Sequence, residues 1–158
     1  MITQHGAKVE KTDKYKRTAL THAVLNGSSK VLSYLLHVGA SINKPDTSGN
    51  TNLHYACAYG WYFPAQLLVD AGADPNAENE WRLTPLAVSF LKGHTGMAKW
   101  LMELPGVDIN GRDDKGRTVI MKVIHEATQS QEKVPLSNQL LEEISEMIEK
   151  RHADPTLT

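Results

Sequence analysis

The residues of this 158-residue chain best suited to metal or nucleophilic chemistry are its seven histidines and its single cysteine. The histidines are His5, His22, His37, His54, His94, His125 and His152, and no two stand at the i, i+4 spacing of a helical zinc site. Cys57 has no second thiolate to share a metal with. No phosphate-cradling Gly-rich loop precedes a helix, Gly93-His94-Thr95-Gly96 reading as a turn between helices and not a nucleotide fingerprint, and no Gly-x-Ser-x-Gly elbow occurs. Glu142, Glu143, Glu146 and Glu149 are spaced for a solvated helix face, with nothing in their neighbourhood that would raise a carboxylate pKa. Lys14-Tyr15-Lys16-Arg17 interleaves cations with an aromatic ring, a pattern that can grip phosphate and stack a base. It is only one turn long, in a chain of net charge −1. The reading is of no catalytic residue, no cofactor and no metal, with nucleic acid a poor fit as partner.

What recurs is a register. Thr18-Ala19-Leu20, Thr51-Asn52-Leu53, Thr84-Pro85-Leu86 and Thr118-Val119-Ile120 open four copies whose threonines are 33, 33 and 34 residues apart. Gly27, Gly60 and Gly93 follow nine residues behind the first three threonines, and Gly39 and Gly72 close the first two copies. A period of about 20 to 50 residues marks stacked repeats. Each threonine precedes a short apolar stretch, as an N-cap or first-turn residue does. Leu20, Ala23 and Val24 share one helical face, as do Leu53, Ala56 and Cys57, and the small residues let neighbouring helices approach closely. Gly27, Gly60 and Gly93 suit the left-handed conformation at which such helices stop. A second helix carries larger residues: Val31, Leu32, Leu35 and Leu36 in one copy, Leu67 and Leu68 in the next, where Pro64 fits the first turn. Pro105-Gly106 stops the third. One helix pair cannot bury its apolar face alone, so the copies must stack.

Asp46 to Ala56, with Gly49, Thr51, Leu53 and His54 in phase, and Leu67 to Asn76, with Gly72, Asp74 and Pro75, resemble the ankyrin repeat and its Thr-Pro-Leu-His-x-Ala signature. The resemblance covers nearly the whole chain. It implies an all-α ankyrin-repeat solenoid of stacked helix-turn-helix units with short β-hairpin-like loops. The repeats would be 13–45, 46–78, 79–112 and 113–158, after the tail of a preceding one at 1–12. Departures from the pattern concern turn details. Lys16 and Arg82 stand where the family has a turn glycine that Gly49 and Gly116 keep; Ser89 and Val123 replace the small residue of Ala23 and Ala56; Ala127 replaces the inter-helix glycine. His54 and His94 fall where the family has structural, turn-bonding histidines.

The resemblance also implies a function: a non-catalytic protein–protein interaction module that takes a partner protein or peptide on a concave face. By position that face holds Tyr15, Arg17, Leu25, Asn50, Tyr55, Tyr59, Trp81, Leu83, Leu91 and Lys92. Tyr55 and Val88 fit packing between copies equally well. Of Trp61, Tyr62 and Phe63, at least one is expected on the helix layer, leaving another for a second surface. The alternative function is a regulatory segment of a larger enzyme (a kinase, ADP-ribosyltransferase or ubiquitin-ligase component) or a channel, docking on its own catalytic or pore domain.

With 41% apolar residues the chain can bury one continuous core. Its first 33 residues are basic, from Lys8 to Lys30, and its last segment acidic, from Glu126 to Asp154. This reads most simply as a solvated face at each end. A lone cysteine, no signal-peptide core after Met1 and no run of about 20 apolar residues favour a cytoplasmic or nuclear protein with no membrane partner. His5-Gly6-Ala7 lies one period before Val38-Gly39-Ala40, and His152-Ala153-Asp154-Pro155 echoes Gly72-Ala73-Asp74-Pro75, so the chain reads as a segment of a longer array, able to self-associate through its ends. Thr118 to Asp154 is about 13 residues longer than Thr51 to Asp74, which predicts an inserted loop at 128–135. An amphipathic helix follows it on Leu140, Leu141, Ile144, Met147 and Ile148, covering the C-terminal end.

Overall fold

The computed structural model describes residues 9–109, 115–118, 121, 125 and 138–153. Among these residues there are seven α-helices and no strand: α1 Ala19–Leu25, α2 Ser29–His37, α3 Asn52–Tyr59, α4 Tyr62–Asp70, α5 Pro85–Leu91, α6 Thr95–Glu103 and α7 Asn138–Ala153. None is long and apolar enough to cross a membrane. The chain divides into two compact units, Met1–Pro85 and Leu86–Thr158.

In the first unit the repeat register becomes a packing register. First helix packs on first helix (α1 on α3) and second on second (α2 on α4), while the partners within each pair also meet. The threonines open the helices as expected. The Thr18 hydroxyl accepts from the Thr21 amide at 3.4 Å while the Thr18 amide donates to the Thr21 hydroxyl at 3.2 Å, a reciprocal capping box. Thr51 is likewise the N-cap of α3. Leu20, Val24, Ala56, Cys57, Leu32 and Leu68 are fully buried. The close contact of α1 with α3 depends on Ala23, Ala56 and Cys57, whose small side chains leave the backbones room to approach. Pro64 sits buried in the first turn of α4, where its missing amide hydrogen costs little.

The turn between α1 and α2 shows why glycine is needed there. Gly27 has φ +64°, and a Cβ on it would lie 3.0 Å from the Trp61 indole. Trp61 thus lies over the neighbouring turn while remaining 39% exposed, and Tyr62 and Phe63 are more exposed still.

In the second unit, α5 buries Leu86, Ala87, Val88, Ser89 and Phe90. Ser89 stands at the small-residue position, and its hydroxyl is satisfied locally by donating to the Leu86 carbonyl at 2.7 Å. From α6 Met97, Ala98, Leu101 and Met102 are buried. Helix α7 packs on α6 and buries Ile144, with Glu142, Glu146 and Glu149 exposed, the amphipathic division the sequence predicts. The inserted loop at 128–135, Val123 and Ala127 of the helix expected after Thr118, and the opening His5-Gly6-Ala7 segment lie outside the described residues, while Met121 and His125 of that helix are helical.

Candidate functional site

Three side chains one repeat apart, Asp13, Asp46 and Asn79, shape the loop tips of the first unit. The Oδ1 atom of each accepts two backbone amides, two and four residues on. Asp13 takes Tyr15 and Arg17 at 2.9 and 3.0 Å. Asp46 takes Ser48 and Asn50, both at 2.9 Å. Asn79 takes Trp81 and Leu83, both at 3.0 Å. Short polar side chains favour such local bonds because they can replace the backbone partner that a tight turn lacks. Each tip is then closed by backbone bonds, Asp13 to Arg17, Asp46 to Asn50 and Asn79 to Leu83, each 3.0 Å.

Successive tips are joined edge to edge. The Thr47 amide donates to the Tyr15 carbonyl at 2.9 Å, and the Glu80 amide donates to the Ser48 carbonyl at 3.0 Å. The Asn79 side-chain amide adds a bond to Asn50 Oδ1 at 2.9 Å. The turn residue in each tip is left-handed: Lys16 at φ 60°, Gly49 at φ 75° and Arg82 at φ 60°. A Cβ on Gly49 would lie 2.9 Å from the Glu80 amide nitrogen, so the middle tip admits only glycine. In the outer two, a lysine and an arginine hold a conformation that L-residues adopt at a cost.

The second oxygens of the two aspartates reach the first helices at equivalent positions. Asp13 Oδ2 accepts from Arg17 Nε at 2.9 Å and meets His22 Nε2 at 3.1 Å. Asp46 Oδ2 accepts from the Tyr55 hydroxyl, 33 residues on from His22. Partial desolvation pushes the Asp13 carboxyl upward, but the Arg17 and Tyr15 amides, with the Arg17 side chain and His22, outweigh it and hold it at about 2. Burial and the neighbouring Asp46 carboxylate push the Tyr55 phenol up to about 12. The Arg17 guanidinium lies 4.7 Å from the centre of the Tyr15 ring, and Lys14 Nζ lies 4.9 Å from it.

Behind the tips, His54 ties one repeat to the next. Its Nδ1 accepts from the Thr51 amide at 3.0 Å, which puts the ring proton on Nε2, and Nε2 donates to the Leu83 carbonyl at 2.8 Å. Burial lowers its pKa, so the ring is held neutral in the bonding pattern that uses both nitrogens.

The expected site residues separate by exposure. Tyr15, Tyr59 and Trp81 are 46%, 54% and 58% exposed. Arg17, Leu25, Asn50 and Tyr55 are half-buried. Leu83 is buried, with its amide and carbonyl taken by Asn79 and His54, so it offers little surface. In the second unit, Leu91 is half-buried and Lys92 exposed, at and just after the end of α5. The structure brings Tyr15 and Arg17 together on Asp13, and Tyr55 with Asn50 around Asp46. Asp13, Asp46 and Asn79 themselves were absent from the sequence-based set, although their spacing in phase with the threonines was the signal for them. Among the described residues no group of three histidine, cysteine or carboxylate side chains is placed to hold a metal. Cys57 is fully buried, and burial pushes its thiol far from the thiolate form a nucleophile needs.

A family model for ankyrin repeats in three copies matches residues 1–79, and one for ankyrin repeats in many copies matches residues 68–121. The chain is 41% identical over 160 residues to the poly(ADP-ribose) polymerase tankyrase of Caenorhabditis elegans, covering 99% of this chain and 7% of that protein. It is 33% identical over 87 residues to the ankyrin repeat and KH domain-containing protein mask-1 of the same organism, covering 55% of this chain and 3% of that protein. To the mouse B-cell lymphoma 3 protein homolog it is 36% identical over 90 residues, covering 56% of this chain and 20% of that protein. It therefore spans a fifth or less of the length of each of these relatives. With the threonine caps, the left-handed turn positions and the histidine tie all in one register, and with both models matching, the chain belongs to the ankyrin-repeat family.

Proposed function

We propose that this chain holds a partner protein or peptide along the tips and first-helix ends of its first unit, with Tyr59 and Trp81 as anchors. Ankyrin repeats are protein-interaction modules and are not themselves catalytic, which fixes the coarse function. The observation that carries the finer reading is the exposure of Tyr15, Tyr59 and Trp81 on tips and a helix end held by the backbone bonds described above. Aromatic anchors on a pre-formed frame give large contact area with little ordering cost, and such residues carry most of the energy at protein interfaces. Affinity titration of a natural partner against the Tyr59→Ala, Trp81→Ala double variant tests this. At least a tenfold weakening, with the melting temperature kept, is expected; unchanged affinity counts against the anchors.

A second reading is supported by the full-length alignment with a relative whose name is that of a polymerase. The chain would then be a regulatory segment docking on a catalytic domain through the same face. In a polypeptide carrying both, the double variant should alter turnover by the catalytic domain, and identical turnover would count against this role.

A further inference from the structure

Helices α2 and α4 bury Leu32, Leu35, Ala65 and Leu68 to make the second-helix layer. That layer does not use the whole of its apolar surface. Val31, Tyr34, Tyr62 and Phe63 are 47–58% exposed, so the second-helix side of this unit also shows large apolar side chains. Tyr34, Phe63 and Leu67 line an open cleft of about 630 Å³, together with Lys30, Ser33 and His37. The volume lies within the range of roughly 300–1,000 Å³ typical of ligand sites. Among the described residues no carboxylate lines it, while one lysine and one histidine do.

We propose that this cleft is a second docking site, separate from the tip face, for an acidic peptide segment that carries an apolar side chain. Tyr34, Phe63 and Leu67 supply walls for the apolar group. Lys30 supplies a cation, and the His37 ring and the Ser33 hydroxyl supply donors, for carboxylates beside it, with no carboxylate among the lining residues to compete. The charge complementarity chooses the occupant. One lysine and one histidine are too few to follow a nucleic-acid backbone, whose binding grows with the number of phosphates neutralised. Nor do they match the cluster of four or more cations with which proteins hold anionic lipid surfaces. Peptides can dock across grooves between helices through a few side-chain anchors, as here between α2 and α4.

The test is a titration of the isotopically labelled 158-residue chain with the heptapeptide Asp-Glu-Asp-Phe-Leu-Asp-Glu, followed by amide chemical shifts. The shifts should cluster at 29–37 and 63–67. Affinity should fall at least fivefold in the Tyr34→Ala, Phe63→Ala double variant and, separately, in Lys30→Glu. It should also fall at least fivefold for the same peptide with lysine replacing each acidic residue, and stay unchanged in the Tyr59→Ala, Trp81→Ala variant. Because Tyr34, Phe63 and Lys30 are exposed, melting temperatures should match the parent. The proposal is overturned by shifts that cluster around Tyr59 and Trp81 instead, by equal binding of the basic peptide, by indifference to Lys30→Glu, or by no shift at millimolar peptide. Dimerisation lost in the Tyr34→Ala, Phe63→Ala variant, or adsorption to phosphatidylserine vesicles lost in it, would assign the cleft to a second copy or to a membrane and equally overturn it.

Discussion

Lys16, Gly49 and Arg82 occupy one repeat position and share one left-handed backbone conformation, yet they differ in what a side chain costs there. At Gly49 a Cβ would collide with the next tip's backbone, so Gly49→Ala should destabilise by about 2 kcal/mol or more. At Arg82 the side chain already stands in a conformation costing roughly 1–2 kcal/mol, and Arg82→Gly should stabilise by about 1 kcal/mol once the greater freedom of unfolded glycine is counted. Chemical denaturation of the two variants checks both signs. His54 gives a pH signature. Its folded-state pKa lies below the ordinary 6.5, so on acidification the unfolded chain takes up the proton first. The stability it contributes is complete above pH 6.5 and is lost as pH falls through the folded-state value. Between pH 7.5 and 5 the parent's melting temperature should therefore fall more steeply than that of His54→Gln; parallel curves would contradict the neutral tie. The left-handed positions were legible in sequence, because Gly49 marked the register that Lys16 and Arg82 had to share. The Asp13, Asp46 and Asn79 latch was less so, since an exposed-looking aspartate in a loop has many possible partners and only three-dimensional closure shows which amides it takes.

Helices α1 to α6 could be read from threonine, glycine and apolar spacing because each signal has a local cause: a cap, a left-handed stop, or a face of small residues. What spacing cannot supply is the depth at which a side chain ends. Leu83 stood at a tip position and by register pointed outward, but its amide donates to Asn79 Oδ1 and its carbonyl accepts from His54, and these bonds draw its backbone into the layer. Tyr34 follows Leu32 on α2 and is 58% exposed although its neighbour Leu35 is buried, because the α4 contact covers only part of that helix. The packing account makes a direct prediction here. Leu68→Ala, at a fully buried site, should cost roughly 2–5 kcal/mol, and Leu35→Ala toward the low end of that range, where 7% exposure lets the site relax. Phe63→Ala should cost far less, because its side chain is mostly in solvent. Equal losses for Leu68→Ala and Phe63→Ala in thermal or urea melts would contradict the assignment of the layer.

For the chain as a whole, the family and the coarse function were legible because a repeat writes its architecture several times over, and errors in one copy (Lys16, Arg82, Ser89) are outvoted by the others. Partner choice was not legible, because none of the proposed contact positions is needed for the stacking register. In the proposed reading the exposed aromatics Tyr15, Tyr59 and Trp81 carry the binding, while the threonines and glycines shape the fold. The chain spans a fifth or less of the relatives compared, and a shared fold does not by itself fix which partner a module takes. The most direct measurement is the dissociation constant of a partner captured by the parent chain, determined for the parent and for the Tyr59→Ala, Trp81→Ala variant at matched melting temperature. The account predicts a rise of tenfold or more, about 1.4 kcal/mol or greater. An unchanged constant, with binding lost instead on altering residues away from the tips, would contradict it.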